Sequence, residues 1–538
     1  MKPPCLVFED EHLLVVNKPA GLNTHSPSPF AGQGLYEWLR DREARWASLA
    51  IIHRLDKETS GVILFSKTPI ANRSLTDQFT NREVRKKYLL LTDRAAPEKK
   101  LSVKTALVRA GDRYVSRPAA AAGAHIAETN FAFLKHTKLH GFGLCALVEA
   151  EPLTGRTHQI RVHASDKGFP ILGDARYGGT PAPRLCLHAA KLAIKHPASG
   201  AEMSFQAPAD FEQEPGLALR RALINPQSTT LYRLIHGGSD AWPGWYVDRV
   251  GDYLLSQSSG PLTQDQLSRL DGLAKELSAQ GAYHKRLSSR PQAGPRMDLS
   301  PQRVVGSSAP ARFSILENGL RFELSFEEGY SIGLFLDQRD NRRRLLTGQI
   351  AAGFALLEPQ TGQRKPELLN TFAYTCGFSV YAAKAGWSTT NLDLSKKYLE
   401  WGKRNFLLNQ IDPGEHAFIL GDVFEWLRRL RKKERRFDAI ILDPPTFSQS
   451  KESGSFRAEK DYGKLVAAAL PVLKSRGVLF ASCNTLCWSP ESFLAGVRGA
   501  AQAAQRTILQ EHYVPQPPDF PISRSENAYL KTVWVRLL

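Results

Sequence analysis

The apolar and polar positions follow different patterns in the first and last parts of the chain. Near the start, the charged turn 53–56 is followed by an apolar run over 62–65, which predicts a buried strand after a polar loop. This pattern places Asp56 on a loop that is held by rigid structure. From residue 319 onwards, strand and helix patterns alternate, which is typical of a parallel sheet with helices on both faces. The chain is therefore predicted to be multidomain, combining α+β and α/β folds.

The same patterns divide the chain into three regions. The stretch Glu214-Pro215-Gly216 interrupts any regular element and indicates a first boundary. The block 231–249 alternates short apolar runs with turn residues, which suggests a small mixed α/β domain. Because 538 residues are too many for one core, we predict a mixed-sheet domain over 1–214, a small α/β linker or RNA-binding domain over 215–315, and an α/β domain over 316–538. In the last domain, strands are predicted over 367–372, 388–392, 417–420, 439–442 and 478–482.

Composition narrows the class of partner. The chain carries 71 Lys and Arg against 53 Asp and Glu, a net charge of +18, and the excess is spread along its length. Such a charge favours binding to a polyanion. The six cysteines form neither a disulfide framework nor a CxxC metal pair, so we expect a reducing compartment, the cytoplasm, and no bound metal. No apolar run is long enough to span a bilayer.

Three stretches in the first domain carry candidate chemistry: His53-Arg54-Leu55-Asp56, the segment 82–89 that ends in Lys-Tyr-Leu, and the Gly-Arg-Thr-His-Gln-Ile-Arg segment 155–161. Taken alone, Asp56 reads as a turn cap and Tyr88 as a half-buried strand aromatic. In order and spacing, however, the stretches together resemble the RluA-type pseudouridine synthases, and the resemblance covers residues 7–211. Such enzymes isomerise uridine in RNA without cofactor or metal, and their target base must leave its stack.

The resemblance implies a role for each motif residue. Asp56 is the catalytic carboxylate, acting as a nucleophile or promoting cleavage of the glycosidic bond. Tyr88 stacks under the uracil and serves in proton transfer. Arg161 pairs with Asp56 and holds it ionised and aimed, since an opposite charge lowers the pKa of a carboxylate. Phosphate or positioning contacts with RNA are assigned to His53, Arg54, Arg156 and His158.

The last domain carries a second ordered series of motifs. A turn over 370–379 (NTFAYTCGFS) follows the first predicted strand, Asp393 ends the second, Asp422 follows the third, and Asp443 begins a DPPTF loop after the fourth. With the stretch GLFLDQRDNRR over 333–343, the series resembles class I S-adenosylmethionine-dependent methyltransferases of the RlmI/RlmK type, which act on large-subunit ribosomal RNA. The resemblance covers residues 230–538 and implies a Rossmann-like fold.

That resemblance implies S-adenosylmethionine as the cofactor and assigns residues to it. Asp393 holds the ribose, Asp422 the adenine edge, and Asp443 lies between the cofactor and the target base as a binding and catalytic residue. The methionine side is assigned to Phe372, Tyr374 and Gly377.

The methylated base depends on Cys483. A thiolate that adds to C6 of cytosine activates C5 for methyl transfer, and Cys483 follows the strand where relatives that make 5-methylcytosine place this nucleophile. Thr446 stands in the DPP loop where many cytosine enzymes carry a second thiol, and relatives without that thiol modify guanine. A buried structural cysteine is the alternative for Cys483.

The predicted function is a bifunctional enzyme that forms pseudouridine and methylates a base of 23S ribosomal RNA, with cytosine C5 favoured. The RNA partner is 23S ribosomal RNA or a ribosome assembly intermediate. Two alternatives stay open: methylation of a guanine, and a chain in which one half has lost catalysis and serves as an RNA-docking module. The target nucleotides are not predicted.

Overall fold

The computed structural model describes residues 2–97, 100–118, 125–287, 300–328, 331–358, 364–450, 454–523 and 528–538. The chain forms two compact units. The first unit comprises Met1–Pro27, Gly34–Trp38 and Ser48–Asn225, and the second comprises Ser28–Gln33, Leu39–Ala47 and Pro226–Leu538. The bounds of the three domains predicted from the sequence stay a prediction. In the described ranges, each helix is too short or too polar to cross a membrane.

The first 225 residues contain eleven described strands and four described α-helices. The strands are β1 (Leu6–Glu9), β2 (Leu13–Lys18), β3 (Ala50–Ile51), β4 (Ser60–Ser66), β5 (Arg85–Thr92), β6 (Leu101–Ala110), β7 (Arg113–Arg117), β8 (His125–Leu139), β9 (Gly143–Pro152), β10 (Leu187–Lys195) and β11 (Glu202–Gln206). The helices are α1 (Leu35–Arg40), α2 (Pro69–Thr80), α3 (Gln159–Asp166) and α4 (Pro215–Leu223).

The strands form one mixed sheet in the order β1-β2-β4-β10-β5-β9-β8-β6-β7, with β3 beside β4 and β11 beside β10. All pairs are antiparallel except β4 with β10. Every residue of β4 is buried, so its continuous apolar sequence forms a central strand, as predicted. A Cβ on Gly61 would lie 2.3 Å from the carbonyl oxygen of Ala189, and the φ of Gly61 is +120°. Glycine therefore permits the close approach of β4 and β10 directly after the Asp56 loop.

The part of the second unit that follows Pro226 starts with a small sheet and one helix. Its strands are β12 (Leu231–His236), β13 (Trp245–Val250), β14 (Tyr253–Ser258), β15 (Gly281–Arg286) and β16 (Gln302–Gly306), paired in chain order, with helix α5 (Gln264–Glu276) joining β14 to β15. Two hairpins and a helix follow: β17 (Phe313–Glu317) with β18 (Leu320–Leu324), α6 (Arg339–Thr347), and β19 (Gln349–Ala351) with β20 (Phe354–Ala355). The predicted mixed α/β character of this region is therefore observed.

The rest of the second unit is a doubly wound domain. Its elements are β21 (Glu367–Thr371), α7 (Gly377–Lys384), β22 (Ser388–Asp393), α8 (Lys396–Leu408), β23 (Ala417–Leu420), α9 (Val423–Lys432), β24 (Phe437–Leu442), β25 (Phe447–Ser450), β26 (Gly454–Arg457), α10 (Ala458–Ala469), β27 (Leu473–Cys483), α11 (Pro490–Ala503), β28 (Ile508–Pro515) and β29 (Lys531–Leu537). The main sheet has the order β23-β22-β21-β24-β27-β29-β28. The five predicted strands are present and parallel, whereas β28 and β29, which the sequence patterns did not assign, pair antiparallel.

Two apolar clusters cover the two faces of this sheet. Along β24 and β27, Ile441 and Phe480 belong to one cluster, and Leu442 and Ala481 belong to the other. This alternation is the period of two expected of a strand that is buried on both faces. Because β21, β22, β24 and β27 are parallel, the residues that follow them lie along one edge of the sheet.

Candidate active sites

One cavity in the first unit gathers the residues of all three predicted motifs. Its volume is about 710 Å³, and it opens where the loop before β4, strand β5 and the start of α3 meet. The seven residues assigned to the first domain all line it: His53, Arg54, Asp56, Tyr88, Arg156, His158 and Arg161. Residues that are up to about a hundred positions apart in the chain thus face one space.

The Asp56 loop is fixed from below by two polar side chains. Thr24 donates its hydroxyl to the carbonyl of Leu55 (2.9 Å) and accepts from the amide of the same residue (3.2 Å). Lys18 is fully buried, and its ammonium donates to three carbonyls, that of Lys57 (3.1 Å) among them. Burial lowers the pKa of Lys18 to about 7. The sequence reasoning gave Lys18 no role, although Asn17-Lys18-Pro19 belongs to the stretch that carries the resemblance.

Arg161 has a closer carboxylate partner than the one predicted. Its guanidinium binds Asp174 through two bonds of 2.8 Å, and its Nη1 lies 3.5 Å from Oδ2 of Asp56. Asp174 is 1% exposed, and Arg161 is 6% exposed. The predicted contact with Asp56 is therefore present, but a bidentate ion pair with Asp174 fixes the guanidinium. Asp174 was missed; its signal is an acid between two glycines in Gly173-Asp174-Ala175-Arg176-Tyr177-Gly178.

His158 also faces Asp56. It precedes α3 in the left-handed conformation (φ 56°), and its Nε2 lies 3.7 Å from Oδ2 of Asp56. On its other side, Nδ1 lies 2.8 Å from the hydroxyl of Tyr177, which accepts from the amide of Tyr114 (3.0 Å). When the Tyr177 hydroxyl donates to Nδ1, the ring proton of His158 lies on Nε2, on the side of Asp56. Burial lowers the pKa of His158 and the carboxylate of Asp56 opposes this.

Tyr88 and His53 have opposite acid–base properties. Burial and the nearby charge of Asp56 raise the pKa of Tyr88, so its phenol keeps its proton at neutral pH. Burial lowers the pKa of His53 to about 3. The His53 ring stacks on Phe79 with a centroid distance of 4.9 Å, and its Nε2 accepts from the amide of Leu64 (3.2 Å). Of the two roles predicted for His53, an uncharged positioning contact agrees with this geometry.

The turn after β21 has an unusual backbone. Phe372, Tyr374 and Cys376 all have positive φ, between 50° and 62°, a conformation that costs free energy in residues other than glycine. The carboxylate of Asp393 closes the turn: Oδ2 accepts from the amide of Tyr374 (2.8 Å), and Oδ1 accepts from the amide of Ser395 (2.8 Å). Burial raises the pKa of Asp393, and these amides oppose the rise. A half-buried carboxylate beside a strained turn fits the diol and amino acid ends of S-adenosylmethionine.

Two more of the residues assigned to the cofactor, Gly377 and Asp422, lie at helix starts. Gly377 begins α7, and a Cβ at this position would lie 2.8 Å from Cδ1 of Leu334, so a larger residue would require the Leu334 side chain to shift. Asp422 is the N-cap of α9, where its Oδ1 accepts from the amide of Glu425 (3.0 Å). Capping is a structural use of this carboxylate, and its contact with adenine stays a prediction.

Asp443 is joined to Ser482 by a residue that the sequence reasoning did not single out. The amide nitrogen of Gln338 donates to Oδ1 of Asp443 (3.2 Å) and to the hydroxyl of Ser482 (2.8 Å). The side-chain amide of Asn341 in turn donates to the side-chain oxygen Oε1 of Gln338 (2.8 Å). Burial raises the pKa of Asp443 to about 6, and the charge of Asp337 adds to the rise. Gln338 lies in the GLFLDQRDNRR stretch, which was its signal.

Cys483 lies at the end of β27, next to Ser482, and is 2% exposed. It belongs to the apolar cluster that contains Leu442 and Ala481. Tyr462 donates to the carbonyl of Ser482 (2.9 Å). Burial raises the pKa of Tyr462, and the neighbouring Cys483 and Asp443 add to the rise. The thiol is thus near the Asp443 loop but packed in the core.

Comparisons with known proteins assign both halves of the chain. Residues 12–166 match the family model of RNA pseudouridylate synthase, and residues 279–536 match that of S-adenosylmethionine-dependent methyltransferase. A ribosomal RNA large subunit methyltransferase of Deinococcus radiodurans is 33% identical over 334 residues, covering 60% of this chain and 78% of that protein. Ribosomal RNA large subunit methyltransferase I of Escherichia coli is 31% identical over 313 residues, covering 57% and 74%.

Among solved structures, a SAM-dependent methyltransferase from Streptococcus mutans superposes with a TM-score of 0.50 at 25% identity, covering 64% of this chain and 87% of that one. The matches confirm the predicted families, fold class, enzyme classes and cofactor. The chain belongs to the family of ribosomal RNA large subunit methyltransferases and carries an RNA pseudouridylate synthase domain ahead of its S-adenosylmethionine-dependent methyltransferase domain.

Proposed function

We propose that this chain modifies 23S ribosomal RNA twice, isomerising a uridine to pseudouridine in its first unit and methylating C5 of a cytosine in its second. The observation that carries the first activity is the convergence of the three motifs on the 710 Å³ cavity. The second rests on the ordered residues at the carboxyl edge of the β21–β27 sheet and on the large-subunit methyltransferase relatives.

In the first activity, the target uridine leaves its stack and enters the cavity. Asp56 promotes cleavage of the glycosidic bond, and the Arg161 guanidinium, fixed by Asp174, lies 3.5 Å from that carboxylate and orients it. Tyr88 lies on β5 and stacks on the base. Because its phenol is protonated at neutral pH, it takes up the C5 proton only as its own hydroxyl proton passes to solvent. Arg54 and Arg156 are exposed, which suits contacts with the RNA backbone at the cavity rim.

In the second activity, the strained turn holds the methionine part of S-adenosylmethionine through Phe372, Tyr374 and Gly377. Asp393 accepts from the ribose hydroxyls and Asp422 faces the adenine. Bound S-adenosylmethionine supplies an electrophilic methyl group. Asp443, oriented by Gln338, lies between the cofactor and the target base.

For the methylated base, cytosine is supported by Cys483, which ends the strand beside the Asp443 loop. A thiolate there adds to C6 and activates C5. Guanine is the second candidate, because Cys483 is packed in an apolar cluster and Thr446 stands in the DPP loop. Methylation of a guanine nitrogen needs no thiolate, since the base already presents a nucleophile.

The first activity is tested with Asp56→Asn in the full chain. Pseudouridine formation in 23S ribosomal RNA taken from cells without the gene is expected to be abolished, while methylation and RNA affinity persist, because RNA binding is spread over many cations. Asp112→Asn, an exposed acid in the same unit, is the control and should stay active. Retained pseudouridine formation by Asp56→Asn would disprove the assignment.

The second activity is tested with RNA that carries 5-fluorocytosine. Fluorine cannot leave C5 as a cation, so the adduct between Cys483 and C6 cannot break down, and the protein should stay on the RNA through a denaturing gel. Cys483→Ala should not be trapped, and Cys487→Ala, which removes an exposed neighbouring cysteine, should be trapped as the wild type is. Full methylation by Cys483→Ala with no trapped species would establish guanine instead.

We also propose that the protein works in the cytoplasm on 23S ribosomal RNA during ribosome assembly, and that the domain over 215–315 contributes to RNA binding. The basic composition, net charge +18, supports binding to a large polyanion. If one half is a docking module, the wild-type chain itself will not add the corresponding modification to the ribosomal RNA, and Asp56→Asn or Cys483→Ala will cause no further change.

A further inference from the structure

A smaller cavity of about 230 Å³ lies beside the Asp56 cavity in the first unit. The two share part of their wall, formed by Phe79, Lys86, Thr154, Gly155 and Arg156. Asp56 and Tyr88 line only the larger cavity, and Arg82 lines only the smaller one. A molecule in the smaller cavity would therefore lie directly beside a base bound against Tyr88.

Lys86 in the shared wall is a cation without a counter-charge. It precedes Tyr88 by two residues on β5, so both side chains project from the same face of the sheet. Burial lowers the pKa of Lys86, and no nearby carboxylate offsets this. Within the described part of the chain, Lys86 forms no ion pair, whereas its neighbour Lys87 binds Glu149 at 2.8 Å. The Lys86 ammonium lies 5.8 Å from the centroid of the Phe79 ring. A partly desolvated ammonium that has this ring but no carboxylate as its neighbour is stabilised further by an anion.

Two further cations stand at the same cavity. Arg82 is exposed at the turn between α2 and β5, where its φ is +60°. Arg156 is exposed on the opposite side, and its Nε donates to the carbonyl of Ile126 (3.3 Å). Neither has a carboxylate within salt-bridge distance in the ranges that the structure describes. His53, which lines only the larger cavity, is uncharged. Among the residues that line the smaller cavity, the positive charge comes from Arg82, Lys86 and Arg156.

We propose that Arg82, Lys86 and Arg156 form an anion subsite for a backbone phosphate of the RNA, on a nucleotide next to the target uridine. This inference rests on the proposed pseudouridine synthase activity of the Asp56 cavity. The shared wall argues for a polymer rather than a free anion, because consecutive nucleotides place a phosphate and a base in adjacent spaces through one covalent chain. Phosphate contacts of this kind position the RNA without reading its sequence.

The test measures binding of the full chain to 23S ribosomal RNA from cells without the gene, over a series of salt concentrations. Lys86→Met should weaken binding about tenfold, as expected for a lost charged contact, and should reduce the slope of log affinity against log salt by about 0.7 to 1. Lys86→Arg should restore both values. Arg85→Gln removes an exposed cation from the same strand, one residue away and therefore on its other face, and should change the slope less.

A second variant protects the test from a folding defect. Arg82→Gln changes an exposed residue, so the unit should fold, and its salt slope should fall as that of Lys86→Met does. In single turnover, Arg85→Gln should form pseudouridine at the wild-type rate at each protein concentration, whereas Lys86→Met and Arg82→Gln should need a higher protein concentration to reach half of their maximal rate.

Three results would overturn the subsite: unchanged salt slopes in Lys86→Met and Arg82→Gln, the same loss in Arg85→Gln, or saturable binding of inorganic phosphate that Lys86→Met abolishes while RNA affinity is unchanged. The last result would indicate a free anion as the ligand. If the wild type forms no pseudouridine but the variants still lower the salt slope, the proposed activity fails and the subsite stands.

Discussion

The ion pair between Arg161 and Asp174 should maintain the geometry of the Asp56 site. Asp174→Asn tests this by removing the negative charge of the pair. The pair is buried on both sides, with side-chain exposures of 7% for Arg161 and 0% for Asp174. Removing one partner of such a pair costs about 3–5 kcal/mol, because the other charge is left buried. Asparagine keeps one acceptor and Asp56 remains at 3.5 Å, so the lower end applies, about 3 kcal/mol.

The loss should appear as local opening of α3, which follows the turn that carries His158. Hydrogen exchange of peptides from Gln159–Asp166 should show an opening equilibrium about a hundredfold larger in Asp174→Asn, since each 1.4 kcal/mol is about tenfold. Pseudouridine formation should fall with it, because the guanidinium turns towards Asp56. The control is Glu149→Gln, which breaks an exposed pair with Lys87 and should cost about 1 kcal/mol or less.

Exchange in α3 that is equal in Asp174→Asn and in the wild type would refute this reasoning. It would mean that the bidentate contact contributes no net stability, and that desolvation of the two charges cancels their attraction. Loss of activity without any change in exchange would instead limit the role of Asp174 to orienting the guanidinium.

Three further predictions concern single side chains. His53→Phe leaves the amide of Leu64 without its acceptor, so hydrogen exchange should show β4 weakened by about 1–3 kcal/mol; the salt dependence of RNA binding should not change, because a pKa of about 3 keeps His53 uncharged. Asp393→Asn should weaken S-adenosylmethionine binding in calorimetry by about 1.5–3 kcal/mol, whereas the exposed control Asp412→Ala should not. Asp443 has a folded-state pKa of about 6, against a usual value of 3.8, so ionisation of Asp443 lowers the stability of the fold as pH rises from about 4 to about 6. Asp443→Asn should therefore raise the midpoint of thermal unfolding more at pH 8 than at pH 4. Equal shifts at the two pH values would contradict this prediction.

Local motifs predicted the fold class and the strands that carry them. The five strands of the α/β part were predictable because short strand patterns alternate there with helical patterns, and β23 has the predicted bounds. Strand β27 begins five residues before the predicted start, since Lys474, Ser475 and Arg476 interrupt its apolar pattern. The antiparallel strand β29 is fully buried. Its place between β27 and β28 depends on pairing between segments distant in the chain, and no local sequence pattern predicts such pairing.

The residues of the Asp56 site were predictable as a set, whereas the side chains that support them were not. Asp56, Tyr88 and Arg161 lie within contiguous motifs, so each could be named without knowing which elements meet. Lys18 and Asp174 support the Asp56 site through contacts that depend on the fold, and Lys18 donates to a carbonyl 39 residues away in the chain. The same holds at the Asp443 site, where Gln338 donates to a hydroxyl 144 residues away. Such partners become visible only when the sheet brings the loops together.

The same dependence on the fold bears on Cys483. The sequence places this thiol beside the strand end where a nucleophile would stand, but the strand's period of two directs Ser482 towards Gln338 and Asp443 and directs Cys483 into the apolar cluster on the other face. A thiol in that cluster reaches a base only if the end of β27 or the Asp443 loop moves. The two candidate bases therefore predict different dynamics as well as different adducts: cytosine methylation requires this edge to open when RNA binds, and guanine methylation leaves Cys483 buried throughout.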